Sequence, residues 1–440
     1  MKKQILVVAI FGLCVGKTIA QTNKENIFFS LHWQTTLIPQ GVNNFHSPYS
    51  GENSFLPTEP IRTSFTTTLF AAYKPFKNTY IVFNPEMAGG KGLSKTTGIA
   101  GFPNGEIYRV GNPAPQPFVA RLFAEKRFSL NEEKEFVEDD INQIKEKTNS
   151  QYISILAGKF ALTDFFDNST ISHDPRTQFI NWALMGSGAW DYAANTRGYT
   201  FGIVLQAKLK HATIRFAETA VPLEANGAEM QWKSNDAGGS VIELELNDLF
   251  KKNENQFSTL HVGGFLNRTH SGNYASTNQF AIATATTPDI TDNREYGRTK
   301  YGFYISLDNH FNHLHHFIKG SWNDGENETW AFTEIDRSIA NGILYDITAR
   351  KGKSDNIGLA IVANGISSSH ANYLKLGGAG FMLGDGTINY GIESTIEFFY
   401  SFNVWNKVFV SPDFQYTINP GYNKDRGPVC TYALRFHAEL

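Results

Sequence analysis

Tyr432-Ala433-Leu434-Arg435-Phe436-His437-Ala438-Glu439-Leu440 closes the sequence. Tyr432, Leu434, Phe436, Ala438 and Leu440 share one parity, and Ala433, Arg435, His437 and Glu439 share the other. Successive side chains of an extended chain point to opposite faces, so this segment has one greasy face and one mostly polar face. A helix would bring Leu434 and Ala438 to one side together with Arg435, and the separation would be lost. The stretch therefore predicts a β-strand with an apolar medium on one side and water or polar groups on the other.

The same period recurs upstream. Ile388, Tyr390, Ile392, Ser394, Ile396, Phe398, Tyr400 and Phe402 alternate with a face that carries Glu393 and Glu397. Asn403-Val404-Trp405-Asn406 reads as a short turn, and Val408, Val410, Phe414, Tyr416 and Ile418 continue on a second strand. Pro412 lies near the middle of that strand and predicts a bulge, because proline cannot donate to a ladder. Tyr199-Phe201-Ile203-Leu205-Ala207 pairs with Ala212-Ile214-Phe216 across a Lys-rich turn, and Ile242-Leu244-Leu246 faces away from Glu243 and Glu245. Leu260 to Leu266, Tyr301 to Leu307 and Ile357 to Ala363 repeat the pattern.

Two architectures alternate in this way: a soluble sandwich or barrel, and a barrel that spans a membrane. The composition favours the membrane. The chain has 440 residues with 35 Phe and 18 Tyr, yet its mean hydropathy is −0.30. Large apolar residues on every second position, with polar ones between, give that combination. The formal net charge of −3 gives no electrostatic reason to expect nucleic acid as a partner.

The start of the chain has the layout of a secretory signal peptide over residues 1–20. Lys2 and Lys3 precede an apolar core from Ile5 to Gly16, and Thr18-Ile19-Ala20 sets small residues for cleavage before Gln21. A short anchor helix is the alternative. Leu13 is too large to precede a lipidated Cys14. Beyond the signal one cysteine remains, Cys430, which has no partner for an intramolecular disulfide. Export without disulfides or apolar helices of spanning length leads to the outer membrane of a Gram-negative cell, because lipid admits only helices and closed barrels. Residues 21–440 are then expected to form a single barrel domain.

Two stretches do not alternate, Asn84 to Pro117 and Asp164 to Arg197; the first is rich in Gly and Pro. Long irregular segments are usually functional, and in a barrel they stay outside or fold inward to narrow the lumen. Glu133 to Lys147 is charged and helix-leaning, and reads as a solvated hairpin extension without chemistry.

The two long stretches carry specific motifs. The first runs Asn84-Pro85-Glu86-Met87-Ala88-Gly89-Gly90-Lys91-Gly92, then Gly98-Ile99-Ala100-Gly101-Phe102-Pro103-Asn104-Gly105-Glu106 and Arg109-Val110-Gly111-Asn112. The second holds Asp164-Phe165-Phe166-Asp167-Asn168, Ser172-His173-Asp174-Pro175-Arg176-Thr177-Gln178-Phe179, Gly188-Ala189-Trp190-Asp191-Tyr192 and Thr196-Arg197-Gly198-Tyr199-Thr200. With His32-Trp33-Gln34-Thr35-Thr36 and Gly421-Tyr422-Asn423, this pattern resembles the OprB carbohydrate-selective porin family in its Bacteroidetes-like form. The resemblance covers nearly the whole mature chain. It implies an all-β fold, a transmembrane antiparallel β-barrel of sixteen strands with long inward-folding loops. It also implies passive, partly selective diffusion of sugars and small solutes. Mono- or oligosaccharides would be its cargo, outer-membrane lipid and lipopolysaccharide its surroundings, and the barrel insertion machinery its assembly partner. Some family members carry a helical extension before the barrel; here the first strand is expected near Ile27 without one.

Sugar transfer needs hydrogen-bond donors and acceptors, flat aromatic faces, and contacts weak enough to release. On Phe118 to Phe128, Arg121, Glu125 and Arg127 share a parity opposite Ala120, Leu122 and Ala124. An Arg facing lipid at the midplane costs about 2–4 kcal/mol, so Arg121 is expected in the lumen, with a place at the rim as the alternative. Glu86, Glu106 and Arg109 on the first stretch are further candidates, as are Asp164, Asp167, Asp174, Arg176, Asp191 and Arg197 on the second. Mutual pairing that pins the loops is an equal alternative for each. Trp182, Trp190 and Tyr192 are stacking candidates. His310, His313, His315 and His316 fit a turn tip better than a metal site, and no cofactor is expected. Two other readings stay open, an outer-membrane barrel enzyme acting on envelope lipids and a plugged structural barrel.

Overall fold

The computed structural model describes residues 28–109, 112–348 and 354–440. Residues 1–20, read as a signal peptide, and Ile27, where the first strand was expected, lie outside the described residues. In chain order the strands are β1 (Phe29–Val42), β2 (Arg62–Phe76), β3 (Thr79–Gly90), β4 (Gln116–Ser129), β5 (Lys134–Val137), β6 (Glu146–Asn149), β7 (Tyr152–Phe160), β8 (Thr200–Lys208), β9 (Ala212–Thr219), β10 (Gly238–Asn253), β11 (Gln256–Gly272), β12 (Arg294–Phe311), β13 (Leu314–Asn323), β14 (Arg337–Thr348), β15 (Ser354–Gly365), β16 (Glu393–Trp405), β17 (Val408–Ile418) and β18 (Val429–Glu439). Sixteen of them close a barrel, each hydrogen-bonded to its sequence neighbours, with β18 returning to β1. β5 and β6 form a separate hairpin between β4 and β7.

The alternation read in the sequence is the wall of this barrel. On β18, Tyr432, Leu434 and Phe436 are exposed on the outside, while Ala433, Arg435 and His437 are buried inside. Ile396 and Phe398 on β16, Phe414 on β17, and Phe303 and Ile305 on β12 extend the same outer apolar surface. A contiguous band of this kind far exceeds the apolar patches that a soluble protein leaves open, which decides for a membrane. Phe76, Phe128, Phe250, Phe311 and Trp405 stand exposed at one end of their strands, as an aromatic girdle does at a lipid interface.

That end carries the tight turns, Lys77–Asn78, Glu254–Asn255, Asn312–His313 and Asn406–Lys407 among them. Among the described residues, every long loop but one lies at the other end. Short turns face the periplasm and long loops the exterior in barrels of this type. The exception is the β5–β6 insert, on the periplasmic side.

Several sequence boundaries move. The first irregular stretch is shorter than expected, since Asn84 to Gly90 belongs to β3, and Gln116 and Pro117 to β4. Pro412 causes no bulge: Phe399↔Asp413 and Phe402↔Val410 flank it in one register, and Pro412↔Leu434 holds the other side. The ring points outward, so the strand loses a donor without needing an extra residue. Register shifts occur elsewhere, one of them where Asn84 pairs with Arg121 and Pro85 with Val119, leaving Ala120 over. Such an insertion reverses the parity of the strand. Ala120 is consequently buried, not turned to lipid as its alternation with Leu122 predicted. β16 begins only at Glu393, so Ile388 belongs to a loop and is buried with it. Glu133 to Lys147 contains no helix: it forms the β5–β6 hairpin, part of which is buried.

The apolar core lies inside the barrel. The loop 161–199 drops into the lumen and seats Phe179 at 5.0 Å from the ring of Phe399 and 5.6 Å from that of Phe317. The loop 91–115 packs beside it, with Phe102 at 5.5 Å from Trp182. Charged groups of the inner wall bind the backbone of these loops. Glu393 accepts N–H bonds from Ala100, Gly101 and Gly421, and Glu397 from Ile180 and Asn181. Arg435, on the polar face of the closing strand, donates to the carbonyls of Pro175, Thr177 and Gln178. These bonds satisfy backbone groups that burial inside the wall would otherwise strand.

Candidate functional site

The in-folded loops fill the lumen unevenly. Against β12 to β18 they pack closely, whereas beside β2, β3 and β4 a cavity of about 870 Å³ remains. Arg121, Glu125 and Phe123 of β4, Glu86 and Tyr80 of β3, and Thr66 of β2 form its wall side. Glu106, Asp164, Asp174, Arg176, Trp190 and Arg197 close it from the loops.

Two guanidinium groups organise the site. Arg121 faces the lumen, as its parity predicted. It donates to Asp164 Oδ2 at 2.7 Å and Oδ1 at 2.5 Å, and to Asn84 Oδ1 at 2.7 Å. Arg176 reaches from the loop to Glu86 at 3.0 Å and to Glu106 at 3.0 Å. Glu86 also accepts from Thr68 at 2.7 Å and from the Tyr199 hydroxyl at 3.3 Å, and Glu106 accepts from Thr66. The fork of an Arg holds carboxylates in fixed planes, so each pair presents a defined row of donors and acceptors to the cavity.

Asp174 secures the approach of Arg176. Its carboxylate accepts from the Arg176 N–H at 2.9 Å and from the Thr177 hydroxyl at 2.8 Å. Burial opposes its charge, but the Arg176 guanidinium and these hydrogen bonds prevail and hold the carboxyl below the ordinary range. Aromatic rings and guanidinium groups interleave beside it. Arg197 lies 4.9 Å from the Tyr108 ring and 4.1 Å from Phe118; Phe118 is 6.0 Å from Tyr199, and Arg121 is 5.5 Å from Tyr199.

Not every expected residue borders the cavity. Arg109 donates to the Phe381 carbonyl at 2.8 Å and ties two loops together. Asp167 is buried, accepting from the Ser187 N–H at 2.5 Å while its own N–H donates to Glu243. Asp191 is buried and accepts from the N–H groups of Trp330, Ala331 and Phe332. These three pin loops. Glu125 does line the cavity, where it pairs with Arg127 at 2.9 Å. Trp182 stacks on Phe332 at 5.1 Å, and Trp190 packs on Tyr304 at 5.0 Å. His310, His313, His315 and His316 surround the β12–β13 turn, with His315 bonded to Asp346 at 3.0 Å. The carboxylates of Glu393 and Glu397, legible only as inward-facing, prove to be loop anchors.

A closed barrel with an apolar exterior, loops folded into its lumen and a cavity left inside that charged side chains line defines a porin of the Gram-negative outer membrane. The family model "Carbohydrate-selective porin, OprB family" matches residues 63–440, and the chain belongs to that family. The high-pH structure of Pseudomonas putida OprB is similar with a TM-score of 0.69 at 13% identity, covering 94% of both chains. The outer membrane channel DcaP of Acinetobacter baumannii is similar with a TM-score of 0.52 at 7% identity, covering 96% of this chain and 100% of that one. No curated protein sequence matches. The protein is a porin for passive, partly selective diffusion of sugars.

Proposed function

We propose that sugars cross through the passage along β2, β3 and β4, in contact with Arg121, Asp164, Arg176, Glu86, Glu106 and Arg197. The observation that carries this reading is the pairing of both central guanidinium groups with carboxylates at the cavity surface. Paired charges offer sugar hydroxyls both donors and acceptors, yet no isolated charge to hold an ion tightly. Several modest contacts of this kind permit entry and release. Phe118 and Tyr199 back the Arg197 and Arg121 guanidinium groups at the cavity wall and so help fix their donors in place.

On this reading the protein is a channel and performs no chemistry on its cargo. The outer apolar band would rest in lipid beneath lipopolysaccharide, after delivery by the barrel insertion machinery. The test is current through single channels in planar bilayers. Glucose is expected to reduce the current in a concentration-dependent way, and Arg176→Met to weaken that block. A glucose block unchanged in Arg176→Met would remove this clamp from the path.

A further inference from the structure

The insert between β4 and β7 is not needed to close the wall. Ser129 already pairs with Tyr152, and the Leu130 N–H donates to the Gln151 carbonyl at 2.9 Å. A tight turn could follow at once, as it does at Lys77–Asn78 or Asn406–Lys407. Instead β5 and β6 pair from Lys134↔Asn149 to Val137↔Glu146 and extend a tip over 138–145.

This hairpin is held against the inner wall, along the arc that borders the cavity. Glu146 accepts from Lys74 Nζ at 2.5 Å, from Arg127 Nη1 at 3.0 Å and from the Tyr80 hydroxyl at 2.8 Å. Ile144 is buried among Phe70, Ala72, Tyr80 and Val82 of the inner wall. On one flank Glu135 pairs with Lys208 of β8 at 2.5 Å; on the other Asp139 lies 3.3 Å from His32 of β1. The anchors thus span the arc from β1 to β8, the part of the wall beside which the cavity lies. Val137, Asp140, Asn142 and Gln143 border the same cavity as Arg121 and Arg176.

We propose that the 131–150 hairpin is a second selectivity filter, at the periplasmic exit, which sets the size limit for sugars that have passed the loop constriction. This rests on the porin reading.

The experiment replaces 131–150 by Asn-Gly and compares the variant with the full chain in planar bilayers. Conductance is expected to rise severalfold, and sugars excluded by the full chain to enter. A second variant does not alter the hairpin fold: Asn142→Cys in a Cys430→Ala background, modified with a bulky thiol reagent from the periplasmic side. Asn142 is exposed at the cavity, so modification is expected to lower the current in one step per channel. A conducting deletion variant with unchanged current and size limit, or full modification of the introduced thiol without effect on the current, overturns the proposal and leaves the porin reading intact. If the deletion variant does not fold, the modification decides. Absence of any channel in the full chain would instead refute the porin reading, and this inference with it.

Discussion

Arg121 shows how much a single inward side chain supports. Its guanidinium bonds Asp164, which begins the loop 161–199, and Asn84 across the bulge, so one residue joins wall, loop and strand irregularity. Removing one partner of a buried pair costs about 3–5 kcal/mol where water is excluded, and less here because both side chains stay partly wet. Arg121→Ala is expected to leave a heat-resistant barrel on electrophoresis, with altered conductance and a weaker sugar block. Arg121→Lys keeps the charge but loses the two-pronged bond, and an intermediate block is expected. A barrel that fails to form in both variants would make Arg121 a folding residue instead. Its lumen position was legible from strand parity. Arg109, Asp167 and Asp191 could not be told from Arg176 in the same way. Loop residues have no period, and only the packed structure separates those that face the cavity from those that grip backbone.

The loops are elements held by the wall. Glu393 and Glu397 each bind two or more backbone N–H groups of segments far away in sequence. Each buried donor left unsatisfied costs about 1–3 kcal/mol. Glu393→Ala is therefore expected to free the loop 91–115 while the barrel persists. Faster trypsin cleavage after Lys91 or Lys95 and noisier single-channel current would report it; cleavage no faster than in the parent chain would contradict the anchoring role. Gly98 works from the loop side. It adopts φ of 85°, and a Cβ there would stand 2.1 Å from the Phe55 backbone nitrogen, so both conformation and space call for glycine. The parity of β16 placed the two glutamates inside. Their partners were hidden because a carboxylate bound to backbone leaves no side-chain pattern to read. The bulge was misplaced for a related reason: Pro412 satisfies the usual signal, yet its outward-facing ring fits the register, while the irregularity at Ala120 falls opposite a different proline, Pro85.

For the molecule as a whole, the sheet is the part most legible in sequence, because lipid outside and polar groups inside impose period two on every strand. Phe398→Arg would place a charge on the lipid face, at a cost of about 2–4 kcal/mol near the midplane. A lower denaturant midpoint in detergent-free bilayers is expected, and an unchanged midpoint would deny that β16 faces lipid there. The lumen was less legible, because long-range docking of loops against β12 to β18 sets which side stays open. The central claim is that this off-centre passage conducts sugar. Its most direct measurement is the single-channel current of the purified protein in a planar bilayer, titrated with glucose. The account predicts discrete channels whose current falls saturably with glucose and whose block weakens in Arg121→Ala. A membrane that stays silent, or channels with a current indifferent to glucose, would contradict it.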